Sequence, residues 1–220
     1  PTSISPDIYE GFKNISKDKA SGYDVWVLDK GSDVFQDPEY MRVILQKYQG
    51  VKDMNQLQEM EDIYMAMYRS KIYEFMTAHK VNNIWWDLCR GLVGNIPAWI
   101  TTHIFSQDPF GQEESPMTLF THDYVFYVDS HSQELKGVLI YKWEELALNE
   151  SYEELQIKLL CTSQYTDRLG SRIMRSLRMF RKETQKKLYA RIIDPTLNAK
   201  PFYTKLGFKF RSNGTMTKPI

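Results

Sequence analysis

The chain has 220 residues and a mass of 26.0 kDa, with 42% hydrophobic and 25% charged residues, which excludes a disordered polymer, a collagen-like repeat and a disulfide-stapled miniprotein. Its 28 Lys+Arg and 28 Asp+Glu cancel, so total charge predicts neither nucleic-acid nor membrane affinity. The cancellation hides a division: residues 1–155 hold 13 basic and 25 acidic side chains, a net of −12, and residues 156–220 hold 15 basic and 3 acidic, a net of +12.

Residues 1–22 are polar and weakly periodic, and they read as a loosely held arm. Tyr23 to Asp29 alternates apolar residues on both faces, as a strand buried on both sides does. Asp37-Pro38-Glu39 reads as a helix start, with the helix running to Gly50. From Asn55 to about His79 good helix formers dominate and predict one long helix or two shorter ones, with Met60, Met65, Met67, Tyr64 and Tyr68 taken as core. Trp85, Trp86 and Trp99 mark a further apolar region, and 106–116 reads as a loop. The stretch from Ile84 to Phe105 is broken by Asp87, Arg90 and His103, short of what a membrane span needs.

Two strands, Val125–Asp129 and Gly137–Tyr141, flank a turn at Ser130–Glu134 and predict a hairpin. Leu155 to Cys161 alternates and then becomes wholly apolar, as a strand buried at its end does. A helix is expected from Gly170 to Gln185, with Ile173, Leu177 and Phe180 on one face and Arg172, Arg175, Lys182 and Lys186 displayed elsewhere; Arg172, Arg175, Arg178, Arg181 and Lys182 form the series that a nucleic-acid face would use. A strand at 188–193 follows. Asn198 is placed as the N-cap of a short helix, 199–206, that ends at Gly207, and strands at 208–210 and 215–217 close the chain.

Cys89 and Cys161 are the two cysteines, and neither they nor the four histidines show metal-ligand spacing. No disulfide framework and no metal site are expected, and a reducing, cytoplasmic setting is the default reading. Sequons at Asn14, Asn149 and Asn213 are read as chance matches.

The segment Asn198-Ala199-Lys200-Pro201-Phe202-Tyr203-Thr204-Lys205-Leu206-Gly207-Phe208 resembles the Asn-x-x-Ala/Pro-x-x-Phe-Tyr-x-Lys-x-Gly-Phe segment of the GCN5-related N-acetyltransferase (GNAT) superfamily. The hairpin and the central strand before it have counterparts in that family, so the likeness spans roughly 120–220. The family's acyl-coenzyme A loop, Arg/Gln-x-x-Gly-x-Gly/Ala, is matched at Gly170 alone; Tyr165 stands at its Arg/Gln and Arg168 at its earlier glycine.

The resemblance implies a mixed α/β (α+β) fold, a mostly antiparallel central sheet flanked by helices. Within it, 1–22 is an arm, 23–220 a single domain, 30–116 a helical elaboration and 117–220 the acyl-coenzyme A core. It implies acetyl-CoA as co-substrate and an amine as acceptor, a small cationic amine or a lysine side chain. Coenzyme contacts are expected from Leu160, Cys161 and Thr162 at the strand end, and from Asn198 and Phe202. The unpaired N–H groups of Leu169, Gly170, Ser171 and Arg172 would point at an anion, with Arg168 beside them. Tyr203 takes the place of the tyrosine that protonates the departing thiolate, and Glu153 or Glu154 that of a general base. Two alternatives stand beside this reading: a GNAT-fold binding or assembly protein without catalysis, and a nucleic-acid-binding protein using the basic helix 170–185.

Overall fold

The computed structural model describes residues 3–16, 22–48, 56–79, 118–145, 152–163, 168–180, 186–193, 195 and 197–220. The chain divides into two compact units, residues 1–121 with 125–136 and residues 122–124 with 137–220.

In the first unit, a 3-10 turn at Pro6–Tyr9 leads into β1 (Phe12–Asn14). This strand pairs antiparallel with β2 (Tyr23–Leu28), which pairs antiparallel with β3 (Asp123–Asp129) along Val125 to Asp129. The arm expected to be loose is therefore docked. Ser3, Ser5, Asp7 and Glu10 face solvent, while the Tyr9 ring stacks on Trp26 at 4.3 Å and Phe12 lies 4.4 Å from Phe75. His79 Nδ1 lies 2.6 Å from the Phe75 carbonyl and must carry a proton there, so in the neutral ring Nε2 accepts from the Tyr9 hydroxyl at 3.0 Å. In β2 only Val25 and Leu28 are fully buried, so burial on both sides holds for part of the strand.

Pro38–Tyr48 is α1, opened by an Asp37 carboxylate that accepts the Glu39 N–H at 2.9 Å. Gln56–Ala78 is one continuous helix, α2, whose run from Met65 to Ile72 is buried all round, Arg69, Ser70 and Lys71 included. A single turn, α3, follows at Thr118–Thr121. The other expectations for the 30–116 region, including Trp85, Trp86, Trp99 and the 106–116 loop, lie outside the described residues.

The second unit holds β4 (Leu135–Glu145, from Gly137 on), β5 (Tyr152–Thr162), β6 (Lys187–Ile192), β7 (Lys209–Phe210) and β8 (Met216–Pro219). β5 lies antiparallel to β4 and parallel to β6; β8 pairs antiparallel with both β6 and β7. This is the mixed, mostly antiparallel α+β arrangement expected. Among the described residues no helix is long and apolar enough to cross a membrane, and no cluster of three or more His, Cys, Asp or Glu could hold a metal.

Three details position the site. First, β4 and β5 slip register between Ile140 and Tyr141, where Ile140 faces Leu159 and Tyr141 faces Ile157; Lys158 is the extra residue of a β-bulge. Second, β5 pairs with β6 only over Tyr152–Ile157, beyond which the Ile193 N–H bonds the Ile157 carbonyl and β5 is paired on the β4 side alone. Third, the expected helix 170–185 is α4 (Leu169–Arg175) followed by a 3-10 turn at Leu177–Phe180. Ser176 explains the break: its hydroxyl bonds back to the Arg172 and Ile173 carbonyls at 2.8 and 3.1 Å, competing with the helical ladder. Residues 181–185, with Arg181 and Lys182, lie outside the described residues.

Candidate functional site

A cavity of about 370 Å³ opens at the end of β5. Leu160, Thr162 and Ser163 form its strand wall, Arg168 to Ser171 its loop and helix wall, and Ala199, Phe202 and Tyr203 the side given by α5 (Lys200–Lys205). Seven residues expected to contact the coenzyme thus meet, Leu160, Thr162, Arg168, Leu169, Gly170, Ser171 and Phe202, together with Tyr203, expected as the proton donor. Ser163, almost fully buried, and Ala199 were not anticipated, since neither side chain carries a sequence signal.

Other expected residues fall elsewhere. Cys161 is buried and disulfide-bonded, where no disulfide framework was expected; Cys89 lies outside the described residues. The Arg172 N–H closes the first helical bond, to the Arg168 carbonyl at 3.0 Å, so it is not open to a ligand, and its side chain is exposed. Asn198 is exposed and makes no cap. The helix begins one residue later than expected, with Ala199 in the cap position and no side-chain bond.

Arg168 explains the missing glycine of the loop. Its φ of 53° and ψ of 34° are left-handed, the conformation in which glycine is relaxed and an arginine carries about 1–2 kcal/mol of strain. Gly170 differs, because its backbone needs no glycine. A Cβ there would meet Phe202 at 3.5 Å and the Thr162 hydroxyl at 3.6 Å, ordinary contacts, so the space it leaves belongs to the cavity wall.

Tyr203 is 7% exposed, and burial pushes its phenol up to about 12. Its hydroxyl therefore stays protonated at physiological pH.

The bulge decides where the two glutamates go. Cross-strand partners share a face, so Gly137 and Leu139 on β4 lie with Thr162 and Leu160, and Tyr141 and Trp143 lie with Ile157 and Leu155, the face that Glu153 shares. Helix-side contacts agree along that face: a Cβ on Gly137 would touch Leu169 at 3.1 Å, and Tyr141 lies 4.9 Å from Phe180. Simple alternation would group Glu154 with Leu160 and Thr162; the extra Lys158 puts Glu153 there instead.

Glu154 lies on the opposite face, with both oxygens held by Arg191, Nε to Oε2 at 2.9 Å and Nη2 to Oε1 at 2.5 Å, and with Gln156 at 3.4 Å. Burial raises its pKa, but the bonds to Arg191, that residue's charge and Gln156 outweigh it and hold the carboxyl below its usual range. Glu153 is buried, with Oε1 4.0 Å from Lys186 and Oε2 enclosed without a hydrogen bond. Glu153 stands seven residues from Leu160, roughly 23 Å along an extended strand, so neither glutamate lines the cavity.

No family model matches the chain, and no curated protein matches it. Similar solved structures include one acetyltransferase assigned to the GNAT family. AtaTR bound with AcCoA is 14% identical, with a TM-score of 0.37 over 57% of this chain and 79% of that one. The acetyltransferase assigned to that family, from Desulfovibrio desulfuricans, is 13% identical, with a TM-score of 0.34 over 61% and 91%. A bacterial toxin is 18% identical, with a TM-score of 0.31 over 45% and 68%.

Proposed function

We propose that the chain is an acyl-CoA-dependent N-acetyltransferase that moves an acetyl group from acetyl-CoA to an amine by direct attack. The observation that carries this reading is the cavity itself, where a strand end, a glycine without conformational need and a buried, protonated tyrosine converge. Its volume suits a slender substrate arm. An extended amide-bearing chain would lie along β5 beyond Ile157, where the ladder with β6 ends.

Acetyl-CoA supplies the activated acyl group. Arg168 and the first N–H groups of α4 would hold its phosphates, and a backbone N–H of the Leu160–Thr162 segment would stabilise the carbonyl oxygen as it becomes anionic. Tyr203 would donate its O–H to the departing sulfur. An amine with a pKa near 10.4 costs roughly 4–5 kcal/mol to deprotonate at pH 7, and that proton needs an acceptor. Glu154 is engaged on both oxygens and Glu153 stands well back along β5 from the cavity wall, so neither is proposed as base.

Calorimetric titration with acetyl-CoA tests the reading, followed by thioester turnover with a panel of polyamines, aminoglycosides and lysyl peptides. No binding at tens of micromolar would overturn the function. Binding without turnover would leave the non-catalytic alternative. A nucleic-acid face along 170–185 loses its continuous helix at Ser176 and is not proposed.

A further inference from the structure

The turn between β7 and β8 holds a reactive arrangement remote from the reading above and independent of it. Asn213 is exposed and precedes Gly214, whose φ of 83° and open surroundings leave the backbone free of side-chain obstruction. Asn213 Oδ1 accepts two hydrogen bonds from Thr215, from its N–H at 3.1 Å and its hydroxyl at 2.7 Å. The Thr215 Oγ1 in turn accepts from Arg191 Nη1 at 2.6 Å, and that guanidinium is the one clamped on Glu154. A cation thus polarises a hydroxyl that polarises a side-chain amide.

The geometry points to Asn213 as a site of intramolecular deamidation in the folded protein, promoted by Thr215. The Gly214 nitrogen, losing its proton to solvent, bonds to Asn213 Cγ. Negative charge develops on Oδ1, where both Thr215 donors already point. Nδ2 takes a proton from water, the Cγ–Nδ2 bond breaks as Oδ1 regains its carbonyl, ammonia leaves, and a succinimide remains. Water opens the ring to aspartate or isoaspartate, so the balance is amide plus water to carboxylate plus ammonium, with no oxidant or reductant. One contact opposes the step: the Gly214 N–H is bonded to the Arg211 carbonyl at 3.1 Å, and this turn bond must open before attack. The product places a new carboxylate one hydroxyl away from Arg191, in competition with Glu154 for the same cation.

Peptide mapping of the intact chain, held at neutral pH and physiological temperature over days, reads the step as the mass change of an amide-to-acid conversion at Asn213, with isoaspartate resolved by chromatography. Asn213 is expected to convert in the native chain, Thr215→Val to slow conversion about tenfold, and Thr215→Ser, which keeps the hydroxyl, to retain the parent rate. Circular dichroism of each variant verifies the fold. The proposal is overturned if Asn213 stays intact while a free peptide of residues 211–218 converts, or if Thr215→Val converts as fast as the parent or faster.

Discussion

Tyr203 is held in its protonated form by burial. Burial raises the phenol to about 12, so across the working pH range the donor form is present and removing it removes a donor. Tyr203→Phe is expected to lower acetyl-transfer kcat by about a hundredfold while acetyl-CoA binding by calorimetry changes little. Equal losses in both would reassign Tyr203 to binding. Glu154 has a different consequence. Its folded pKa lies below that of an unfolded glutamate, about 4.3, so the stability it contributes is complete above that value and is lost as pH falls through the folded one. Glu154→Gln lacks this component, and its gap in urea midpoint from the parent should narrow as pH drops below about 4. At Gly170 the missing Cβ is not demanded by the fold, so Gly170→Ala should leave the thermal midpoint unchanged or raise it, as alanine does in a helix, yet weaken acetyl-CoA binding. Unchanged affinity would remove Gly170 from the site.

Among the elements, the docked amino-terminal segment responds to acid. Burial lowers the His79 pKa against the opposing bond to the Phe75 carbonyl, so below about pH 6.5 the unfolded chain takes up a proton that the folded one resists. Stability of this contact is present above that pH and falls as pH drops toward the folded pKa. Hydrogen exchange at Ile8–Asn14, corrected for intrinsic rate, should accelerate below pH 6.5, and Tyr9→Phe should accelerate it at neutral pH as well. Flat exchange across that range would mean that His79 does not hold the segment. These elements also show what a sequence discloses. The alternation from Leu155 to Cys161 and the spacing from Asn198 to Phe208 place β5 and α5 because both patterns are local. The docking of Tyr9 on Trp26 and His79 is not visible, because two aromatic residues in a polar stretch carry no periodicity. The Ser176 break is hidden as well, because Leu177 and Phe180 stay buried in a 3-10 turn as they would in an α-helix.

For the whole molecule, the division of charge found in the sequence has a structural counterpart. Residues 137–220 hold 16 basic and 8 acidic side chains, a net of +8, in the unit that contains the cavity. A coenzyme carrying several phosphate charges should therefore bind more weakly as salt rises. Its dissociation constant is expected to increase several-fold between about 0.01 M and 0.15 M salt, as the screening length contracts from about 30 Å to about 8 Å. A salt-independent constant would argue that phosphate contacts contribute little. The candidate site was legible from Arg168 to Ser171, at Phe202-Tyr203 and at the end of β5, and illegible in the faces taken by Glu153 and Glu154, which depend on pairing between strands. Arg168 could not be understood from type alone, because a left-handed backbone leaves no mark on the residue that adopts it.

Lys158 acts on β5 as an inserted letter acts on a reading frame. Upstream of it, odd-numbered residues share the helix side with Glu153; downstream, even-numbered residues do, and Leu160 and Thr162 reach the cavity as a result. In a strand that kept Lys158 in regular alternation, with no bulge, Leu159 and Cys161 would take the helix side and Leu160 and Thr162 the opposite one. One residue, itself outside the cavity wall, thus sets which half of the strand's alphabet is read there.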